Sequence, residues 1–72
     1  MKFELGKCYQ HTTGHKLAVI GLVDSHLYGS SLMAETNDDN ERFMCVGRDE
    51  SATANYTEIT REEFRKNYIS ED

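Results

Sequence analysis

The sequence predicts an α+β fold: a small antiparallel sheet or partly open barrel of four to five strands, followed by one C-terminal helix. Two observations carry this. Short apolar runs recur between clusters of Gly, Asn, Asp and Ser, as strands joined by tight turns require. Thr60-Arg61-Glu62-Glu63 matches a capping box ahead of Phe64, the signature of a helix start. Residues 1–72 read as a single domain, because no repeat, linker or low-complexity tract interrupts them.

Phe3, Leu5 and Cys8-Tyr9 suggest a short opening strand with Gly6 as a bulge or bend, and Thr12-Thr13-Gly14 reads as a turn. The run Leu17-Ala18-Val19-Ile20-Gly21-Leu22-Val23 is continuous and partly β-branched, which predicts the central strand. Asp24-Ser25-His26 supplies a turn, and Leu27-Tyr28-Gly29 leads into a third strand over residues 30–36. Asn37-Asp38-Asp39-Asn40 is the clearest turn, since Asn and Asp tolerate left-handed backbone angles and bond their own main chain. Residues 42–47 should return antiparallel, a polar loop spans residues 48–55, and Tyr56-Thr57-Glu58-Ile59 forms a last short strand. In the helix, the Thr60 hydroxyl can accept the Glu63 amide while the Glu63 carboxylate reaches back, with Ile59 and Phe64 as the hydrophobic staple. Glu62 and Glu63 in the first turn and Arg65 and Lys66 beyond it suit the helix dipole, and Phe64 and Tyr68 share a face.

Composition narrows the function classes. The 72 residues carry 13 acidic against 8 basic side chains, a net charge of −5. Chains this short draw only about 3–5 kcal/mol from one core, so self-association as a dimer or tetramer is expected. A site shared between subunits is easier to build than a private cavity of about 300–1,000 Å³. The acidity is uneven: residues 1–33 hold three lysines against two carboxylates and all three histidines, whereas residues 34–72 hold five basic against eleven acidic groups. Binding of duplex nucleic acid is disfavoured by that balance. No apolar run approaches a membrane span, and Met1-Lys2-Phe3-Glu4 begins no signal peptide, so a cytoplasmic location with no membrane partner is expected. Cys8 and Cys45 then read as buried or idle thiols rather than a disulfide.

Several constellations invite chemistry. Cys8, His11 and His15 have metal-like spacing, but residues an odd number apart on a strand diverge, so no metal site and no cofactor is expected. Asp24-Ser25-His26 holds the residue types of a hydrolase triad, yet neighbouring side chains splay apart and cannot form the relay. Thr12-Thr13-Gly14-His15-Lys16 combines hydroxyls, a glycine that frees backbone amides, an imidazole and an ammonium, a set that can hold a phosphate; the bland alternative is a solvated hairpin tip. Tyr9, Tyr28 and Tyr56 lie beside turns or loops, where a phenol ring can stack on a base or else fill the core. Arg48 could present a planar fork to phosphate or pair with Asp49 or Glu50.

Taken in order, Phe3-x-x-Gly6-Lys7-x-Tyr9-x-His11-x-x-Gly14, Leu27-Tyr28-Gly29, Ala34-Glu35, Val46-Gly47-Arg48-Asp49-Glu50 and Asn55-Tyr56-x-Glu58-Ile59-Thr60-x-Glu62-Glu63-Phe64 span nearly the whole chain. This arrangement resembles a widespread family of very short phage proteins, similar to the anti-CBASS cyclic-nucleotide sponges. Trp is more usual at the Tyr56 position, where this chain keeps a smaller aromatic. The resemblance implies a homo-oligomer, no enzyme, that sequesters cyclic GMP-AMP or a related cyclic dinucleotide without cleaving it. It assigns no site residues. From the residues themselves, Tyr9, His11, Thr12, Thr13 and Lys16 are candidates for phosphate and ribose, Tyr28 and Tyr56 for stacking, and Arg48 and Asn55 for base edges or phosphate. Two alternatives stand beside this reading: a small protein inhibiting a host protein through its acidic surface, and a hydrolase acting on the signal.

Overall fold

Five strands form one open antiparallel sheet in the spatial order β4-β3-β2-β1-β5. They are β1 (Cys8–His11), β2 (Lys16–Ser25), β3 (Gly29–Asp38), β4 (Glu41–Val46) and β5 (Tyr56–Ile59), followed by helix α1 (Arg61–Ile69). The computed structural model describes residues 1–27, 29–38 and 40–69, the side chains of residues 67–69 excepted. β1 to β4 are a meander. Residues 47–55, which include a 3₁₀ turn at Glu50–Thr53, carry the chain to the other edge, where β5 pairs with β1. The expected sheet with one C-terminal helix is therefore present, with β2 at its centre. The expected pairing of Phe64 with Tyr68 involves a side chain outside the described residues.

The strand pleat sorts side chains onto two faces. On the inner face, Tyr9 lies opposite Leu17, Val19 opposite Ala34, and Leu32 opposite Val46, and these six are buried together with Phe3. Phe3 belongs to no strand. The opening strand begins only at Cys8, because Gly6 turns the chain at φ +87° and residues 1–5 precede that bend. The bend is held where Gly6 N–H donates to the Val19 carbonyl (2.8 Å) and Val19 N–H donates to the Lys7 carbonyl (2.9 Å). Phe3 then meets the Tyr9 ring edge-on, with centroids 4.9 Å apart.

The run predicted as one continuous apolar strand is only half buried. The pairing of β2 with β3 slips between Val19 and Gly21, so Ile20 is an extra residue and stands 50% exposed. Leu22 returns to register with Leu32 but remains 57% exposed.

Helix α1 packs on the outer face of β1, β2 and β3. Its cap forms on one side only: Glu63 N–H donates to Thr60 Oγ1 at 3.1 Å, while the Glu63 carboxylate turns to Lys66 (3.4 Å) and Lys16 (3.5 Å). Lys66, and Lys16 after it, hold the Glu63 carboxyl below its ordinary value. A depressed carboxylate contributes stability that is complete above the unfolded value near 4.5 and is lost as pH falls through the lower folded value. Glu63→Gln should therefore flatten the acid limb of a denaturation midpoint against pH profile below about 4.5, leaving its shape at neutral pH unchanged.

Candidate functional site

The β1–β2 turn and the start of β5 meet at one end of the sheet. Gly14 closes the turn at φ +98°, a conformation that glycine adopts without strain. Gly14 N–H donates to the His11 carbonyl at 2.9 Å, and His11 N–H donates to the His15 carbonyl at 2.7 Å. Across the junction Thr12 N–H donates to the Asn55 carbonyl at 3.0 Å, and Asn55 itself is left-handed at φ +67°. Asn is among the few side chains that occupy this region readily. Asn55 thereby ends the loop and starts β5 against β1, with Tyr56 directly opposite His11.

Five of the predicted residues thus share one locus: His11, Thr12, Thr13, Asn55 and Tyr56. The His11 and Tyr56 rings pack edge-on with centroids 4.9 Å apart, and Phe3 supports Tyr56 from the core at 5.2 Å. Thr13 N–H donates to His11 Nδ1 at 3.2 Å, and the Thr13 hydroxyl lies 3.0 Å from the same nitrogen. A ring nitrogen that accepts an amide proton carries none, so the neutral imidazole keeps its proton on Nε2. Thr12, Thr13 and Asn55 are exposed, His11 and Tyr56 half-buried. Burial pushes the Tyr56 phenol above its ordinary value, so it remains a neutral donor and stacking surface at physiological pH.

The remaining predicted residues lie elsewhere. Tyr9 is 1% exposed, and its hydroxyl accepts Glu4 N–H at 2.9 Å, so it is a core tyrosine satisfied by the N-terminal segment. Lys16 has a side chain only 8% exposed, and its Nζ donates to the Glu63 carbonyl at 3.1 Å; it anchors the helix and does not turn to the Thr12–Thr13 tip. Arg48 donates to Ser30 Oγ at 2.9 Å and lines a groove of about 610 Å³ with Lys2, Phe3, Leu22 and Leu32. Phe3 is the one residue common to that groove and the ring cluster. Tyr28 lies outside the described residues. Cys8 is opposite Ala18 and Ile59, whereas His11 is opposite Tyr56, so the two fall on different faces of β1. Among the described residues no group of three His, Cys, Asp or Glu could hold a metal ion.

A second groove, of about 490 Å³, opens between α1 and the outer face, floored by Cys8, Ala18 and Phe64 and flanked by Arg61, Arg65 and Glu35. The sequence signal for it is the spacing of Arg61 and Arg65, one helical turn apart. Burial raises the Cys8 thiol above its ordinary value, and Arg61 opposes that shift, so Cys8 stays a protonated thiol. No helix among the described residues is long and apolar enough to cross a membrane. No family model, curated protein or solved structure matches the chain.

Proposed function

We propose that this protein binds a cyclic dinucleotide as a non-enzymatic sponge, removing the signal from a bacterial immune effector as the phage proteins it resembles are expected to do. The observation that carries the reading is the convergence of His11, Thr12, Thr13, Asn55 and Tyr56 from two separate chain segments. A cyclic dinucleotide offers flat bases and a compact pair of phosphates. Tyr56 supplies a stacking ring, the Thr12 and Thr13 hydroxyls and the His11 ring supply neutral hydrogen bonds to phosphate and ribose, and the Asn55 amide can read a base edge. Neutral donors suit a chain whose net charge is −5. Binding without cleavage needs only complementarity to the ground state. A homo-oligomer would set two such loci around one ligand and exclude water from both.

Calorimetry against a panel of cyclic di- and trinucleotides tests this, followed by heat release and chromatography of the bound molecule. Saturable binding with intact recovery is expected. No heat with any member overturns the reading, and altered nucleotide on release replaces it with an enzyme.

A further inference from the structure

The groove between α1 and the outer face forms where small residues lie beside one large one. Phe64 is buried under the helix, whereas Ala18 and Gly6 give the neighbouring floor and wall almost no side chain. Nothing lies within 4 Å of where a Gly6 side chain would begin, so the space there is open. The groove's volume of about 490 Å³ falls within the range of small-molecule sites, about 300–1,000 Å³.

Its charged groups are unanswered among the described residues. Arg61 and Arg65 are exposed on the groove wall, one helical turn apart, and neither guanidinium makes an ion pair or hydrogen bond there. The carboxylates nearest in sequence do not serve them: Glu63 is held by Lys16 and Lys66, and Glu62 forms no bridge to Arg65. Glu35, half-buried on β3, lines the same groove and likewise has no ion pair among the described residues. Register fixes where it stands. Cys8, Ala18 and Glu35 form one cross-strand row, which sets Glu35 two strand spacings, about 10 Å, from Cys8. The Cys8 thiol on the floor feels both walls: burial raises it, Arg61 opposes that rise and Glu35 adds to it.

We propose that this groove binds a hydroxylated aromatic carboxylate, a ligand with an anion at one end of a flat apolar body and a hydrogen-bond donor at the other. The carboxylate docks on the Arg61–Arg65 pair, whose planar forks match it, the rings lie over Cys8, Ala18 and Phe64, and the hydroxyl donates to Glu35. Charge selects this class. Two guanidiniums against one carboxylate leave the groove at +1 on a chain of net charge −5, which suits a monoanion. A plain aliphatic acid would cover the Glu35 carboxylate without giving it a donor, a costly desolvation. An inorganic anion would leave the apolar floor in water. The site stands apart from the nucleotide reading, because Cys8 and His11 fall on different faces of β1 and none of the five ring-and-turn residues lines the groove.

Fluorescence titration with naphthalene ligands tests the site, since a chain without Trp has no indole emission to compete. Saturable binding of 6-hydroxy-2-naphthoate is expected. 2-Naphthoate, which lacks the donor, should bind about 10-fold more weakly, and 2-naphthol, which lacks the anion, at least as weakly as that. These three ligands test the inference without any substitution. Arg61→Gln and Arg65→Gln should each weaken the hydroxy acid by about 10-fold, and Glu35→Val should bring the two acids to equal affinity, with the far-ultraviolet spectrum unchanged in all three variants. Absence of saturable binding overturns the inference, as does 2-naphthol binding as tightly as the hydroxy acid, or parent affinity in both arginine variants. Displacement of the naphthoate by a cyclic dinucleotide would overturn it as a separate site.

Discussion

Phe3→Ala should leave the chain largely unfolded in buffer. The side chain is buried and its ring contacts both Tyr9 and Tyr56, so truncation removes two aromatic pairs along with the packing of one large residue. Buried Phe→Ala changes cost about 3–5 kcal/mol, and a domain of this size has a total stability of about 3–5 kcal/mol. The loss is therefore comparable to everything the fold has. Phe3→Leu keeps most of the volume and should cost about 1–1.5 kcal/mol, which a urea midpoint resolves. Tyr9→Phe separates a different contribution, because it leaves Glu4 N–H without the acceptor it has at 2.9 Å. That change should cost about 1–3 kcal/mol. A Phe3→Ala chain that melts with an unchanged midpoint would show that residues 1–5 are not part of the core.

The reason Phe3 matters was only partly legible in the sequence. Alternation of Phe3, Leu5 and Cys8 fits a strand, and the glycine between them fits a bulge. Which side of that glycine joins the ladder depends on a tertiary contact, the pairing of Gly6 and Lys7 with Val19, and local pattern carries no trace of it. The C-terminal helix was readable for the opposite reason. Its start depends on Thr60 and Glu63, three residues apart, and that bond forms at 3.1 Å. The second half of the box fails because two lysines compete for the Glu63 carboxylate: Lys66, one helical turn on at 3.4 Å, and Lys16, forty-seven positions away in sequence, at 3.5 Å. The Lys16–Glu63 contact, which is long-range, removes Lys16 from the phosphate group that its neighbours Thr12 and Thr13 suggested. Tyr9 and Tyr56 illustrate the limit once more. Both are tyrosines beside polar segments, but Tyr9 faces Leu17 in mid-sheet while Tyr56 faces His11 at the sheet end, and only strand register distinguishes them. The bulge at Ile20 escaped because every residue around it is apolar, so inward and outward positions look alike.

Tyr56→Leu should weaken cyclic dinucleotide binding by roughly 5-fold to 150-fold, the equivalent of about 1–3 kcal/mol for one lost base-stacking surface. Leucine keeps an apolar side chain against Phe3, so stability should fall less than with Phe3→Ala. Thr13→Val retains shape but removes the hydroxyl beside His11 Nδ1 and should weaken binding by about 5-fold to 10-fold, in line with about 1 kcal/mol for one hydrogen bond. Lys16→Met is the informative contrast. If a cation at the turn held the phosphates, this change would be among the most damaging; with Nζ engaged by Glu63 and buried, it should lower stability while leaving affinity within about 2-fold, since it removes no hydrogen bond to the ligand. Calorimetry on the three variants, each first checked for a cooperative unfolding transition, separates these outcomes. Equal affinity in Tyr56→Leu and the parent would move the ligand away from the His11–Tyr56 locus. The groove beneath Arg61 and Arg65 would then be the next place to look, because it sets two guanidiniums over an apolar floor on the other face of the sheet.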